Sequence, residues 1–183
     1  AALNILEPLY QACLDRMQVF LDELERSGER HRPEKFSDFR KILERVAQHP
    51  NRRYFILKSI IVNNLYGVDI MEEAVEICKL RLFLKLVAQV ESAEKIEPLP
   101  DIDFNIRAGN TLVGFASLDE VRNSIPEGVL YNSEEEISRI EEEAELADKA
   151  FQMFRRMQTE QGMLPRQFTE SKDELRSRLR KLT

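Results

Sequence analysis

The chain of 183 residues carries 27 basic and 33 acidic side chains, a formal charge of −6, and is 43% hydrophobic and 33% charged. This is the composition of a soluble, helix-rich domain large enough for one core, and six glycines with seven prolines are too few for an all-β fold. The negative balance argues against a major phosphate-binding surface, and no apolar run reaches the length of a membrane span.

The opening Ala1-Ala2-Leu3-Asn4 has neither a methionine nor the basic start of a signal peptide. The sequence is therefore expected to be an interior stretch of a longer, cytoplasmic chain. Leu6, Leu9, Cys13, Met17, Phe20, Leu21 and Leu24 fall on one stripe and predict a helix over 3–26. Ser27-Gly28 is expected to end it, with Gly28 free to take the left-handed conformation. Ser37 is a plausible N-cap for a helix over 37–48, with Phe39, Ile42, Leu43 and Val46 on its apolar face, stopped by His49-Pro50. A third helix is expected over 51–62, with Tyr54, Leu57, Ile60 and Ile61 apolar.

The short apolar run in Asn64-Leu65-Tyr66-Gly67-Val68 predicts a buried strand near 64–68, ending at the acid Asp69. Residues 71–90 then read as helix. Met71, Ala74, Val75, Cys78, Leu82, Leu86 and Val90 make one face, and Ile77, Leu80 and Leu84 much of another. A helix apolar over so much of its circumference must be covered on more than one side. After the loop Glu97-Pro98-Leu99-Pro100, alternation of Ile102, Phe104 and Ile106 with polar residues predicts a second strand over 102–108. Strand, long helix and strand form a βαβ unit, so the two strands should be parallel.

Beyond Pro126-Glu127-Gly128, Ser133 and Glu136 have capping-box spacing. Ile137, Ile140, Ala144, Ala147, Phe151 and Phe154 follow at alternating four- and three-residue steps, which calls for a hairpin partner or another helix–helix contact. Gln161-Gly162 should break this helix. Ser171 and Glu174 repeat the capping-box spacing and predict a last helix carrying Leu175, Leu179 and Leu182. Residues 134–148 hold eight acids and one base, and 155–181 eight bases and four acids. Such runs read first as solvated helix faces, and the basic one secondarily as a nucleic-acid contact. Cys13 and Cys78 sit among apolar residues and are expected to be small core hydrophobes in a reducing cytosol. His31 and His49 lie beside prolines in apparent linkers, without partners at metal-ligand spacing, so no metal site is expected.

The place for chemistry is the tip of the first strand. Ligands of open α/β sheets bind outside the carboxyl ends of the strands. An acid there, Asp69, can accept hydrogen bonds from both hydroxyls of a ribose, because a carboxylate is acceptor-only with two oxygens. Ile70 can pack on an adenine ring. At the end of the second strand, the side-chain carbonyl of Asn110 can accept from an adenine amine, and Gly109 permits close approach. The local alternatives are that Asp69 only caps the helix at 71 and that Asn110 only makes a turn. Glycine-rich phosphate loops are absent, which leaves a dehydrogenase reading without support.

Tyr66-Gly67-Val68-Asp69-Ile70, with Ala74-Val75-Glu76-Ile77 and Lys79-Leu80-Arg81-Leu82, resembles the second conserved block of adenine-specific DNA methyltransferases. The similarity is greatest to the large enzymes of type IIG restriction–modification and related phage-defence systems. Leu99-Pro100-Asp101-Ile102-Asp103-Phe104-Asn105-Ile106 and Gly109-Asn110-Thr111-Leu112-Val113-Gly114 resemble the third block, and the helix opened by Ala2-Leu3-Asn4-Ile5-Leu6 resembles the one that follows the first block. The resemblance implies a partial Rossmann-like methyltransferase fold: a helix-rich α/β core over 1–114 with a short parallel sheet, and a helical insertion or hairpin over 115–183. It also implies S-adenosylmethionine as cofactor, with Asp69 on the ribose, Ile70 on the adenine face, and Asn110 at the adenine amine where many relatives have aspartate. The glycine-rich first block and the Asn-Pro-Pro-Tyr-type block that grips a flipped adenine are not in this sequence, so no catalytic residue is expected in it.

The function expected is thus a share of the cofactor pocket of a DNA adenine-N6 methyltransferase that acts on DNA through the rest of the enzyme. The alternative is a helical docking module of a larger restriction or defence enzyme, with no ligand of its own. Self-association through the open edge of the first strand, or a helix covering that edge, is also expected.

Overall fold

The computed structural model describes residues 1–27, 36–90, 98–114, 117–124, 133–159 and 165–181. The chain divides into two compact units, Ala1–Gly109 and Asn110–Thr183. The first contains α1 (Ala2–Arg26), α2 (Ser37–Gln48), α3 (Arg52–Asn64), β1 (Gly67–Asp69), α4 (Glu72–Val87) and β2 (Ile106–Ala108). The second contains α5 (Leu118–Ser124), α6 (Ser133–Thr159) and α7 (Pro165–Lys181). The result is a helix-rich protein with a two-stranded parallel sheet.

The first unit is built around α3. Tyr54, Ile56, Leu57, Ile60, Ile61 and Val62 are all buried, as suits a helix apolar nearly all round. On one side Leu57 and Ile61 meet Val75 and Leu86 of α4 and Ile102 and Ile106 beside and on β2. On the other, Ile56 and Ile60 meet Leu14 of α1 and Val46 of α2. Each such burial contributes about 1.5–3 kcal/mol. Asn51 starts the helix, its side chain accepting the Tyr54 N–H at 2.9 Å. The same amide donates to the Gln89 carbonyl at 2.5 Å, which ties the start of α3 to the chain just after α4.

Asn63 and Asn64 continue α3 two residues past the expected end, so β1 begins at Gly67 rather than near 64. Tyr10 of α1 donates a hydrogen bond to the Asn64 side chain, so a polar residue expected at the start of the strand is satisfied inside the last turn of α3. The strands are parallel, pairing Gly67 with Ile106, Val68 with Arg107 and Asp69 with Ala108. The βαβ reading is borne out, but both strands are three residues long, and β1, expected to be buried, has Val68 and Asp69 exposed. The Asp101 carboxylate accepts the Asp103 N–H at 3.0 Å, and Asn105 and Ile106 both donate to the Ile102 carbonyl, at 3.0 and 2.9 Å. Residues 102–105 therefore form a turn, not a strand. The apparent alternation there arises from a turn that buries Ile102, Asn105 and Ile106.

Helix α4 buries Val75 and Leu86 against α3. Its opposite face, Ile77, Leu80, Leu84 and Val87, is exposed.

In the second unit α6 and α7 form an antiparallel hairpin. Phe154 and Leu175 are fully buried, Phe154 and Phe168 lie 5.0 Å apart, and Glu143 pairs with Lys181 at 3.0 Å. The helix–helix contact required by the α6 seam is thus present. Helix α7 starts at Pro165, six residues before the expected capping box. Proline suits a first helical position, where the missing N–H costs no bond, and Ser171 lies inside the helix.

Other expectations are corrected. Cys13 and Cys78 are exposed. On α1 the seat against α3 is taken by Leu14, one residue on, and Cys78 lies beside the open face of α4. Ser37 is the first helical residue of α2, and its N-cap is Phe36, with no side-chain cap bond. His49 lies in the link between α2 and α3, as the C-cap of α2, but it is not a free linker side chain. It is buried, its ring stacked on Tyr54 at 5.7 Å, and its Nδ1 meets the Asn51 backbone, 2.8 Å from the carbonyl and 3.1 Å from the N–H, where the chain turns from α2 into α3. Gly28, His31, Glu97, Pro126-Glu127-Gly128, Gln161-Gly162, Leu182 and the Ser133 and Glu136 side chains lie outside the described residues.

Candidate functional site

Asp69 ends β1, and its carboxyl-terminal end is where the sheet opens. The strand is held at both ends by backbone bonds to β2 and its flanks. Gly67 donates to the Asn105 carbonyl at 2.8 Å, and Gly109 donates to the Asp69 carbonyl at 2.9 Å. Gly109 has little room for a side chain, since a Cβ built there would lie 3.3 Å from Cγ1 of Val68.

The Asp69 side chain is exposed. Its Oδ1 accepts the Met71 N–H at 2.9 Å, a tight turn that redirects the chain from β1 into α4. Met71, not Asp69, is the N-cap of α4. Asp69 therefore orders the approach to the helix without being its cap, and this engages one carboxylate oxygen. Among the described residues no hydrogen bond is recorded to Oδ2. Ile70, next along, is 72% exposed. An exposed acceptor and a bare aliphatic side chain thus stand together at the strand tip, in an order that suits a polar sugar beside a flat apolar ring.

Asn110 opens the second unit. Its Oδ1 accepts the Leu112 N–H at 2.9 Å, and its backbone carbonyl accepts the Val113 N–H at 3.2 Å. The turn chemistry anticipated for it is therefore present. A carbonyl oxygen has a second lone pair, so this bond and a ligand bond are compatible.

Two features of the surroundings are missed by sequence reasoning. Lys79 of α4 donates to Glu76 at 2.9 Å and to Asp103 at 3.0 Å, fastening the helix to the turn before β2. Burial lowers the Lys79 ammonium, but the hydrogen bonds and charges of Glu76 and Asp103 outweigh it and leave it above its ordinary value. Asn105 is only 4% exposed, and its side-chain amide faces the end of α3. The one sequence signal was an amide set between Phe104 and Ile106, which a strand reading sends to solvent. No group of described residues has the makings of a metal site, and no described helix is long and apolar enough to cross a membrane.

Residues 63–172 match the Eco57I restriction-modification methylase family. A protein of Methanocaldococcus jannaschii, named as a type II restriction enzyme and methyltransferase, is 37% identical over 58% of this chain and 11% of its own length. The chain therefore spans 11% of the relative it matches. No solved structure matches it.

Proposed function

Because the chain belongs to the Eco57I restriction-modification methylase family, we propose that it forms part of the S-adenosylmethionine pocket of a DNA adenine-N6 methyltransferase with a Rossmann-like core. Asp69 accepts hydrogen bonds from the ribose hydroxyls, Ile70 lies against the adenine ring, and Asn110 accepts from the adenine amine. The cofactor supplies the methyl group. The residues of this chain bind and orient its adenosine half and take no part in the transfer. The rest of the enzyme extrudes the target adenine from duplex DNA.

The observation that carries this reading is the Asp69 carboxylate, exposed at the carboxyl end of a parallel strand with one oxygen turned to Met71. These acceptors, with the Ile70 side chain, fit the adenosine part of the cofactor, a diol beside an aromatic ring. It holds nothing for the methionine part, in keeping with the absence of a glycine-rich loop from the sequence. Calorimetric titration with S-adenosylmethionine tests it on the enzyme as its gene encodes it. Hydrogen bonds to a charged group contribute about 1.5–3 kcal/mol, so Asp69→Ala should weaken binding by about 10- to 100-fold. Unchanged affinity would remove the ribose assignment.

A second reading is favoured by the uncovered stripe Ile77, Leu80, Leu84 and Val87 on α4: the segment serves as a docking module within a larger enzyme. The outer edge of β1, where Val68 is 51% exposed, supports self-association as part of that reading. Unaltered S-adenosylmethionine binding in Asp69→Ala, with loss of assembly in Leu80→Asp, would select it.

A further inference from the structure

We infer that Asn105 is the positioning residue for the Asp69 carboxylate; the inference rests on the ribose reading of Asp69. The last carbonyls of a helix have no partners within it, and α3 must give way to β1 across only Leu65 and Tyr66. The side-chain amide of Asn105 fills this gap. Its Nδ2 donates to the Val62 and Leu65 carbonyls at 3.1 Å each and lies 3.4 Å from that of Ile61. The backbone carbonyl of the same residue accepts the Gly67 N–H at 2.8 Å, the bond that opens the β1–β2 ladder. One buried residue thus fastens the exit of α3 and the entry of β1 at once.

The chemistry requires an amide here. Three carbonyl oxygens select a donor, so aspartate would set a negative charge against them, and leucine would leave buried carbonyls unsatisfied. The consequence reaches Asp69 because it lies two residues beyond Gly67 on a strand of three. A slip of one residue in β1 would put Val68 or Ile70 where Asp69 now stands, since alternate residues of a strand face opposite ways. Asn105 therefore acts on the ligand through the register of β1, without touching it.

The test compares S-adenosylhomocysteine with its 2′-deoxy counterpart in the enzyme as its gene encodes it, and takes the ratio of the two dissociation constants. If Asp69 grips the diol, the ratio in the wild type is about tenfold, and Asp69→Ala brings it near one. Asn105→Ala, and Asn105→Ser with its single shorter donor, should each reduce the ratio at least about threefold. A loss of folded protein weakens both ligands by the same factor and leaves the ratio alone, so general destabilisation does not imitate the effect. A ratio abolished by Asp69→Ala but kept by both Asn105 variants overturns the positioning role and spares the ribose reading. A ratio unmoved by Asp69→Ala overturns the ribose reading, and the inference with it.

Discussion

Leu84 and Leu86 are two residues apart on one helix and chemically identical, yet Leu84 is 58% exposed and Leu86 fully buried. Truncating each to alanine separates what α4 contributes through its two faces. Leu86 packs in the cluster formed with Tyr54, Leu57, Ile61, Val75, Ile102 and Ile106, where elements from three parts of the chain meet. Collapse around the lost atoms is limited there. Removing a buried leucine side chain down to alanine costs about 2–5 kcal/mol, transfer and cavity together. With the residue fully enclosed, a value of about 3–4 kcal/mol is expected. At Leu84 over half the side chain is already in water, and alanine is the better helix former, so the change should stay within about 0.5 kcal/mol. Urea unfolding of this 183-residue chain, followed by circular dichroism, reads both values, and an unchanged slope shows that the surface exposed on unfolding is the same in each variant. Equal losses at the two positions would refute the assignment of faces. They would mean that the outer stripe of α4 is covered in solution.

The pH dependence of the Lys79 cluster follows from the raised Lys79 value. A cation held above its ordinary value, about 10.4 for lysine, stabilises the fold fully below that value. It loses the contribution as pH rises through the folded-state value. The stability advantage of wild type over Lys79→Met should therefore be flat across neutral pH and shrink at strongly alkaline pH in urea titrations; an advantage that grows with alkalinity would contradict this. At Gly109 the neighbouring Val68 side chain is half in solvent and can turn aside. Gly109→Ala should shift thermal stability by less than about 1 kcal/mol, and a loss beyond about 2 kcal/mol would show that the approach to β1 is tighter than described.

Much of the first unit was readable from pattern because its helices obey one period and its crossover is long. The near-continuous apolar character of α3 and the parallel pairing across α4 rest on side chains packing where periodicity sends them, and of the α1 stripe Leu6, Met17, Phe20, Leu21 and Leu24 do so while Leu9 and Cys13 stay exposed. Several of the readings that failed depend on contacts distant in sequence. Nothing local says that Asn64 will be held inside α3 by Tyr10. Nor does anything local say that Asn105 will turn inward to donate to carbonyls of residues forty or more positions earlier. Ile102, Phe104 and Ile106 alternate as a strand would, yet the Asp101 carboxylate closes a turn there. Cys13 lost its seat to Leu14 because one residue on a helix is a rotation of about 100°, and the partner helix fixes which residue faces it. At the site, Asp69 and its extended strand were legible as an acid at a strand end. Its bond to Met71, which leaves one oxygen for a ligand, was not, because it depends on how the chain turns after the strand.

The most direct measurement is a crystal structure of the enzyme with S-adenosylhomocysteine bound. The account predicts the ribose diol within hydrogen-bond distance of the Asp69 carboxylate, with the Met71 bond kept and the adenine ring against Ile70. A ribose bound elsewhere, with Asp69 contacting only solvent and Met71, would contradict it.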